Sequence, residues 1–113
     1  MTSEFILKNI KTAKEWLDKV GEIGETGFNQ CDGILENLKA FIHDEVIWKK
    51  VQEKEEKIYK EFQKKSNEAK IKLKEVDSLL QWNEGARYYM ELRHWKSMEL
   101  LSFWDKLSKE YDL

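Results

Sequence analysis

The chain has 113 residues, 20 Lys plus Arg against 22 Asp plus Glu, no proline and five glycines. That length is one domain's worth, and the charged fraction of 37% stands well above the roughly 25% of an average globular domain. No run approaches the roughly 18 apolar residues of a membrane span. The start, Met-Thr-Ser-Glu-Phe, lacks the basic and apolar regions of a secretory signal. A single cysteine, Cys31, excludes an internal disulfide and a multi-thiolate metal site, and His43 and His94 cannot make a three-histidine one. A cytoplasmic, reducing location is therefore expected.

In chain order, Ile6, Ile10, Ala13, Leu17 and Val20 recur at spacings of four and three, which predicts an amphipathic helix over about 3–20 with Ser3 as its N-cap. Phe5 and Trp16 widen its apolar face. Gly21, Gly24 and Gly27 follow at every third position. Each glycine costs roughly 1 kcal/mol inside a helix, so a loop is expected; the alternative is a helix whose small residues face a close neighbour. No strand precedes these glycines and no Lys-Ser or Lys-Thr follows them, so they are not a phosphate loop.

The helical period resumes with Phe28, Cys31, Leu35, Leu38 and Ile42, flanked by a second row of Ile34, Phe41 and Trp48. Cys31 lies on the stripe and reads as a small buried hydrophobe. From Lys49 to Glu75, 16 of 27 residues are charged, with ten lysines against six glutamates. The Glu-to-Lys pairs 53–57, 56–60, 61–65 and 68–72 each support a helix by roughly 0.2–0.5 kcal/mol. A thin seam of Ile58, Phe62, Ala69, Leu73, Val76 and Leu80, with Lys65 filling the missing turn, predicts a protruding hairpin or coiled coil. One helix over 28–83 would be about 84 Å long. A reversal is therefore expected, and Ser66-Asn67 is the turn that the local residues favour.

The last helix is expected over about 86–111, after Gly85, which leaves helices at about 3–20, 28–64, 67–82 and 86–111. The fold class is then all-α: one domain, 1–113, forming an elongated antiparallel bundle of three or four helices with a charged, coiled-coil-like middle. Leu17, Leu35, Leu38, Phe41, Leu92 and Phe103 are the expected core. Trp95 and Trp104 are nine residues apart on the last helix and face nearly opposite sides. In a small bundle one of them is expected on the surface. Trp104 beside Tyr111, at the end of the helix, is the expected exposed one, and Trp95, Trp104 and Tyr111 are the candidate partner-binding residues.

Few residue sets could carry chemistry. Arg87-Tyr-Tyr-Met-Glu-Leu-Arg-His94 resembles the Arg-x4–6-His motif of HEPN ribonucleases, which are all-α and of about this size. That resemblance implies RNA cleavage by paired protomers, with Arg87 in the cleft and His94 in acid–base work. It covers eight residues, and Tyr88 stands where the motif usually has a small polar residue. Without that motif, Arg87 and His94 are two turns apart on a polar face. The Glu22/Glu25 and Glu53/Glu56 pairs and the single Glu91-x-x-His94 pair do not complete a di-metal site. No metal or cofactor is expected. The Lys-rich 49–75 stretch, with Tyr59 and Phe62 for stacking, is the candidate nucleic-acid surface, although its lysines lie all round the helix among glutamates. The favoured expectation is a small protein–protein interaction module, an adaptor, inhibitor or assembly subunit, which binds a protein partner or a second copy of itself. The alternatives are a HEPN-like ribonuclease or inactive relative, and a nucleic-acid-binding hairpin.

Overall fold

The computed structural model describes residues 2–75 and 78–111, with side chains placed over 4–75 and 83–111. Among the described residues the protein is all helix: α1 (Thr2–Asp18), α2 (Val20–Ile23), α3 (Glu25–Leu38), a 3-10 turn over Lys39–Phe41, α4 (Glu45–Leu73) and α5 (Ser78–Glu110). The Ser3 cap falls outside the described side chains, and the backbone is already helical from Thr2.

The glycine segment is not an open loop. Gly21 lies in the short α2, and the break before α3 is made by Gly24, whose φ of 67° belongs to the left-handed region that glycine enters without a Cβ penalty. Gly27 serves as the small-residue alternative foresaw. A Cβ there would lie 2.7 Å from the Trp16 carbonyl oxygen and 2.6 Å from a Val20 methyl carbon, so α3 can fold back on α1 only with glycine at this contact. Gly33, also inside α3, has nothing within 4 Å of such a Cβ. Gly27→Ala should therefore destabilise by about 1–3 kcal/mol through overpacking. Gly33→Ala should stabilise by up to about 1 kcal/mol. Urea midpoints for the two variants that move in the same direction would refute this packing.

The chain reverses between α3 and α4 at residues 39–44, not at Ser66-Asn67, which lie inside α4. Asp44 makes the reversal: its carboxylate accepts from the Val46 and Ile47 amides at 2.8 and 3.1 Å and caps α4. Ile42 is buried from an extended backbone, so it continues the apolar stripe of α3 after the helix has ended. Phe41 does not. It rides on the 3-10 turn, 43% exposed, and stacks on the equally exposed Phe5 with ring centroids 4.7 Å apart. The second reversal follows Glu75, and α5 begins eight residues before the position expected, with Gly85 inside it.

α1 and α3 are antiparallel, since Gly27 abuts Trp16 while Phe41 reaches Phe5. α3 and α5 are parallel, with Phe28 edge-on to His94 and Asp32 bonded to Ser97. α4 and α5 are antiparallel, with Lys50 at Tyr111 and Lys65 over Trp95. The core joins Ile6, Ile10, Ala13 and Leu17 of α1, Phe28, Cys31, Leu35 and Leu38 of α3, Ile47, Val51 and Ile58 of α4, and Leu100, Leu101, Trp104 and Leu107 of α5. Leu17, Leu35 and Leu38 are buried as expected, whereas Leu92 and Phe103 are half-buried.

Beyond Ile58 and Met90 the hairpin of α4 and α5 continues without a third layer among the described residues, and its seam of Phe62, Ala69 and Leu73 is half-buried. Val76 and Leu80 lie outside the described side chains. Lys65 fills its gap by laying its stem over Trp95, the ammonium 5.3 Å from the ring centre. Of the four Glu-to-Lys pairs, 56–60 and 61–65 close, at 3.0 and 3.9 Å. The protein measures 54 × 29 × 18 Å with a radius of gyration of 16.2 Å, against about 13 Å for a compact chain of this length.

Candidate helix-binding groove

Trp104, expected at the surface, is 1% exposed and is the largest fully buried side chain among the described residues. α1, α3 and α4 all pack against α5, and Trp104 lies in the core they share, while Ser102 and Lys106 stay exposed on the outer side of the helix. Trp95 is half-buried in the hairpin under Lys65. Tyr111 is half-buried and accepts a hydrogen bond from the Lys50 ammonium, which also lies 4.6 Å from its ring centre. That hydrogen bond, with Glu110 at 3.8 Å, holds the lysine pKa above its ordinary value. The three aromatics thus do not share one surface.

Arg87 and His94 are both exposed on α5. Arg87 is bound by Glu84 at 3.1 Å and Glu91 at 3.7 Å, ion pairs within its own helix, and the His94 ring meets the edge of Phe28 at 6.3 Å. Neither lines a cleft described below. Among the described residues no group of three or more His, Cys, Asp and Glu could hold a metal ion. Cys31 is fully buried, and burial, followed by the charge of Asp32, pushes its thiol pKa up to about 12. Such a thiol is protonated at neutral pH and is a packing group.

A polar network unforeseen in the sequence crosses from α3 to α5. Ser97, 0% exposed, donates to Asp32 Oδ1 at 2.7 Å. Arg93 donates to Asn29 Oδ1 at 3.1 Å and Asp32 Oδ2 at 3.3 Å, and its guanidinium lies 5.3 Å from the Phe28 ring centre. The signal was there in the residues: 93, 97, 100 and 104 make one stripe of α5, so a serine among its apolar members needs a partner. This network fixes the register of α3 against α5.

Among the clefts beside α5, two border α1 or α3. One, of about 370 Å³, opens between α3, α4 and α5, and its rim carries Asp32, Glu36, Glu55, Glu56 and Lys96. Its carboxylates are partly matched: Lys39 pairs with Glu36 at 3.0 Å and Glu55 at 2.8 Å. Burial works against the charge of Lys39, but its hydrogen bonds to Glu55 and Glu36 together raise its pKa.

The other, of about 400 Å³, is a groove between α1 and α5. α1 contributes Leu7, Ile10, Lys11 and Lys14, and α5 contributes Met98, Leu101, Ser102 and Asp105. Each set has spacings i, i+3, i+4 and i+7, which makes it a single helical stripe about 10 Å long. Ile10 and Leu101 are buried in the floor, while Leu7 and Met98 are each 46% exposed on the walls. No helix of the described residues is long and apolar enough to cross a membrane. Compared with models of known protein families, with curated proteins and with solved structures, the chain matches none of them.

Proposed function

We propose that the protein is a non-catalytic interaction module that binds a helix of a protein partner in the groove between α1 and α5. One observation carries this reading: two helical stripes, each half apolar, that leave Leu7 and Met98 nearly half exposed beside a floor of buried Ile10 and Leu101. Large apolar side chains grouped along a concavity mark interaction sites far more than singly scattered ones do. The spacing of the stripes matches the i, i+3/i+4, i+7 anchors that an amphipathic helix presents to such a groove. With one cysteine, and that one buried, the protein has no internal disulfide, which fits a reducing compartment such as the cytoplasm.

The test is capture of partners from cells that make the protein. Leu7→Glu and Met98→Glu change exposed side chains, so each should shift stability by less than about 1 kcal/mol. Partners that co-purify with the wild type should be lost with both variants. They should be kept with Tyr59→Glu, which alters the exposed rim of the opposite cleft. Retention of the same partners by both groove variants would overturn the reading. So would RNA cleavage by the purified protein that disappears with His94→Ala at an unchanged fold.

A further inference from the structure

We infer that the occupant of this groove is an acidic amphipathic helix of another protein, with its carboxylates along the flank that faces α1. The inference rests on the reading of the groove as a docking surface and adds what that surface selects. Its charges are uneven. Lys11 and Lys14 line the α1 wall, both are exposed, and among the described residues neither has a carboxylate within 4.0 Å. Asp105, on the α5 wall, is already matched by Lys109 at 3.1 Å. The remaining wall residues, Met98, Leu101 and Ser102, carry no charge. The unmatched charge of the groove is thus positive and confined to one side.

That asymmetry argues against a second copy of this chain. A two-fold axis across the groove would set Lys11 and Lys14 of one molecule against the same lysines of the other, and an axis along it would offer both lysines only Asp105, already paired with Lys109; neither arrangement matches the charge of the α1 wall. A helix of a different protein escapes this. With apolar residues at i, i+3 or i+4 and i+7, it fills the space over Ile10 and Leu101 between Leu7 and Met98. Asp or Glu on its α1-facing flank then meets both lysines, and its opposite flank meets Met98, Ser102 and the already paired Asp105.

The experiment is a selection of amphipathic helical peptides from a displayed library against the whole protein, followed by titration of the enriched peptides at low and high salt. Enriched peptides should carry apolar anchors at helical spacing and an excess of Asp and Glu on one flank. Their affinity should fall by about tenfold or more with the double variant Lys11→Glu/Lys14→Glu, at an unchanged melting temperature, and should weaken with salt. Enriched peptides without acidic bias that still lose binding with Met98→Glu would overturn the inference and leave the docking reading standing. Peptides whose binding survives Leu7→Glu and Met98→Glu would overturn both. A concentration-dependent dimer in light scattering that Met98→Glu abolishes would put a second copy in the groove and overturn the inference.

Discussion

Trp104→Ala should destabilise the protein by about 3–5 kcal/mol, the cost of emptying the largest buried site in a core. That loss is a large share of the roughly 5–15 kcal/mol that holds a domain of this kind together. Urea denaturation followed by circular dichroism measures this directly. Trp95→Ala should cost clearly less, because Trp95 is half-buried in a two-helix seam with a lysine stem as part of its cover. Equal midpoints for the two variants, or a Trp104→Ala protein as stable as the wild type, would contradict the packing of α5. The contrast also separates core from surface: Trp104 is 1% exposed, whereas Met98, six residues earlier, is 46% exposed on the groove wall.

The second large effect is expected at Asp32. Asp32→Ala removes the acceptor of the buried Ser97 hydroxyl and one of the three acceptors of Arg93, at a cost of about 2–3 kcal/mol. Asp32→Asn keeps an oxygen for Ser97 and should recover part of that loss. Ser97→Ala removes the buried donor together with its need for a partner, so it should cost less than Asp32→Ala. The two substitutions in one chain should cost less than their sum, since they act on the same hydrogen bond. Strict additivity in that double-mutant cycle would mean that the Asp32–Ser97 contact does not form.

The sequence made the helices legible because each apolar stripe kept a period near 3.6 over several turns. Ile6 to Leu17 and Phe28 to Leu38 are buried where their spacing put them. The chain reversals were harder to read. Ile42 stays buried after α3 has ended, so the stripe ran on past the break, and the Asp44-Glu45 capping signal was masked by apolar residues on both sides. Ser66-Asn67 looked like a turn, but the surrounding Glu–Lys ladder and the Phe62 and Ala69 seam carry α4 through them. The surface assignment of Trp104 failed for a related reason. A helix at the end of a chain is commonly exposed there, whereas α5 here is the element that the other three long helices pack around. The groove could not be read from spacing alone. Leu7 and Lys11 stand beside the core stripe of α1, and only the position of α5 turns that flank into one wall of a concavity.

The confinement of the core to one end of the hairpin has a consequence for motion. Between about residues 62 and 75, α4 has α5 as its only neighbour among the described residues, and its seam there holds few apolar side chains. Opening that end exposes little apolar surface and leaves Ile47, Val51 and Trp104 in place. Amide protection should therefore fall in a gradient along α4, greatest near Val51 and least near Leu73, with the tip exchanging through a sub-global opening that urea barely promotes. The core stripes of α1 and α5 are expected to exchange only when the whole bundle opens, so the walls of the groove stay rigid while the far end of the molecule breathes.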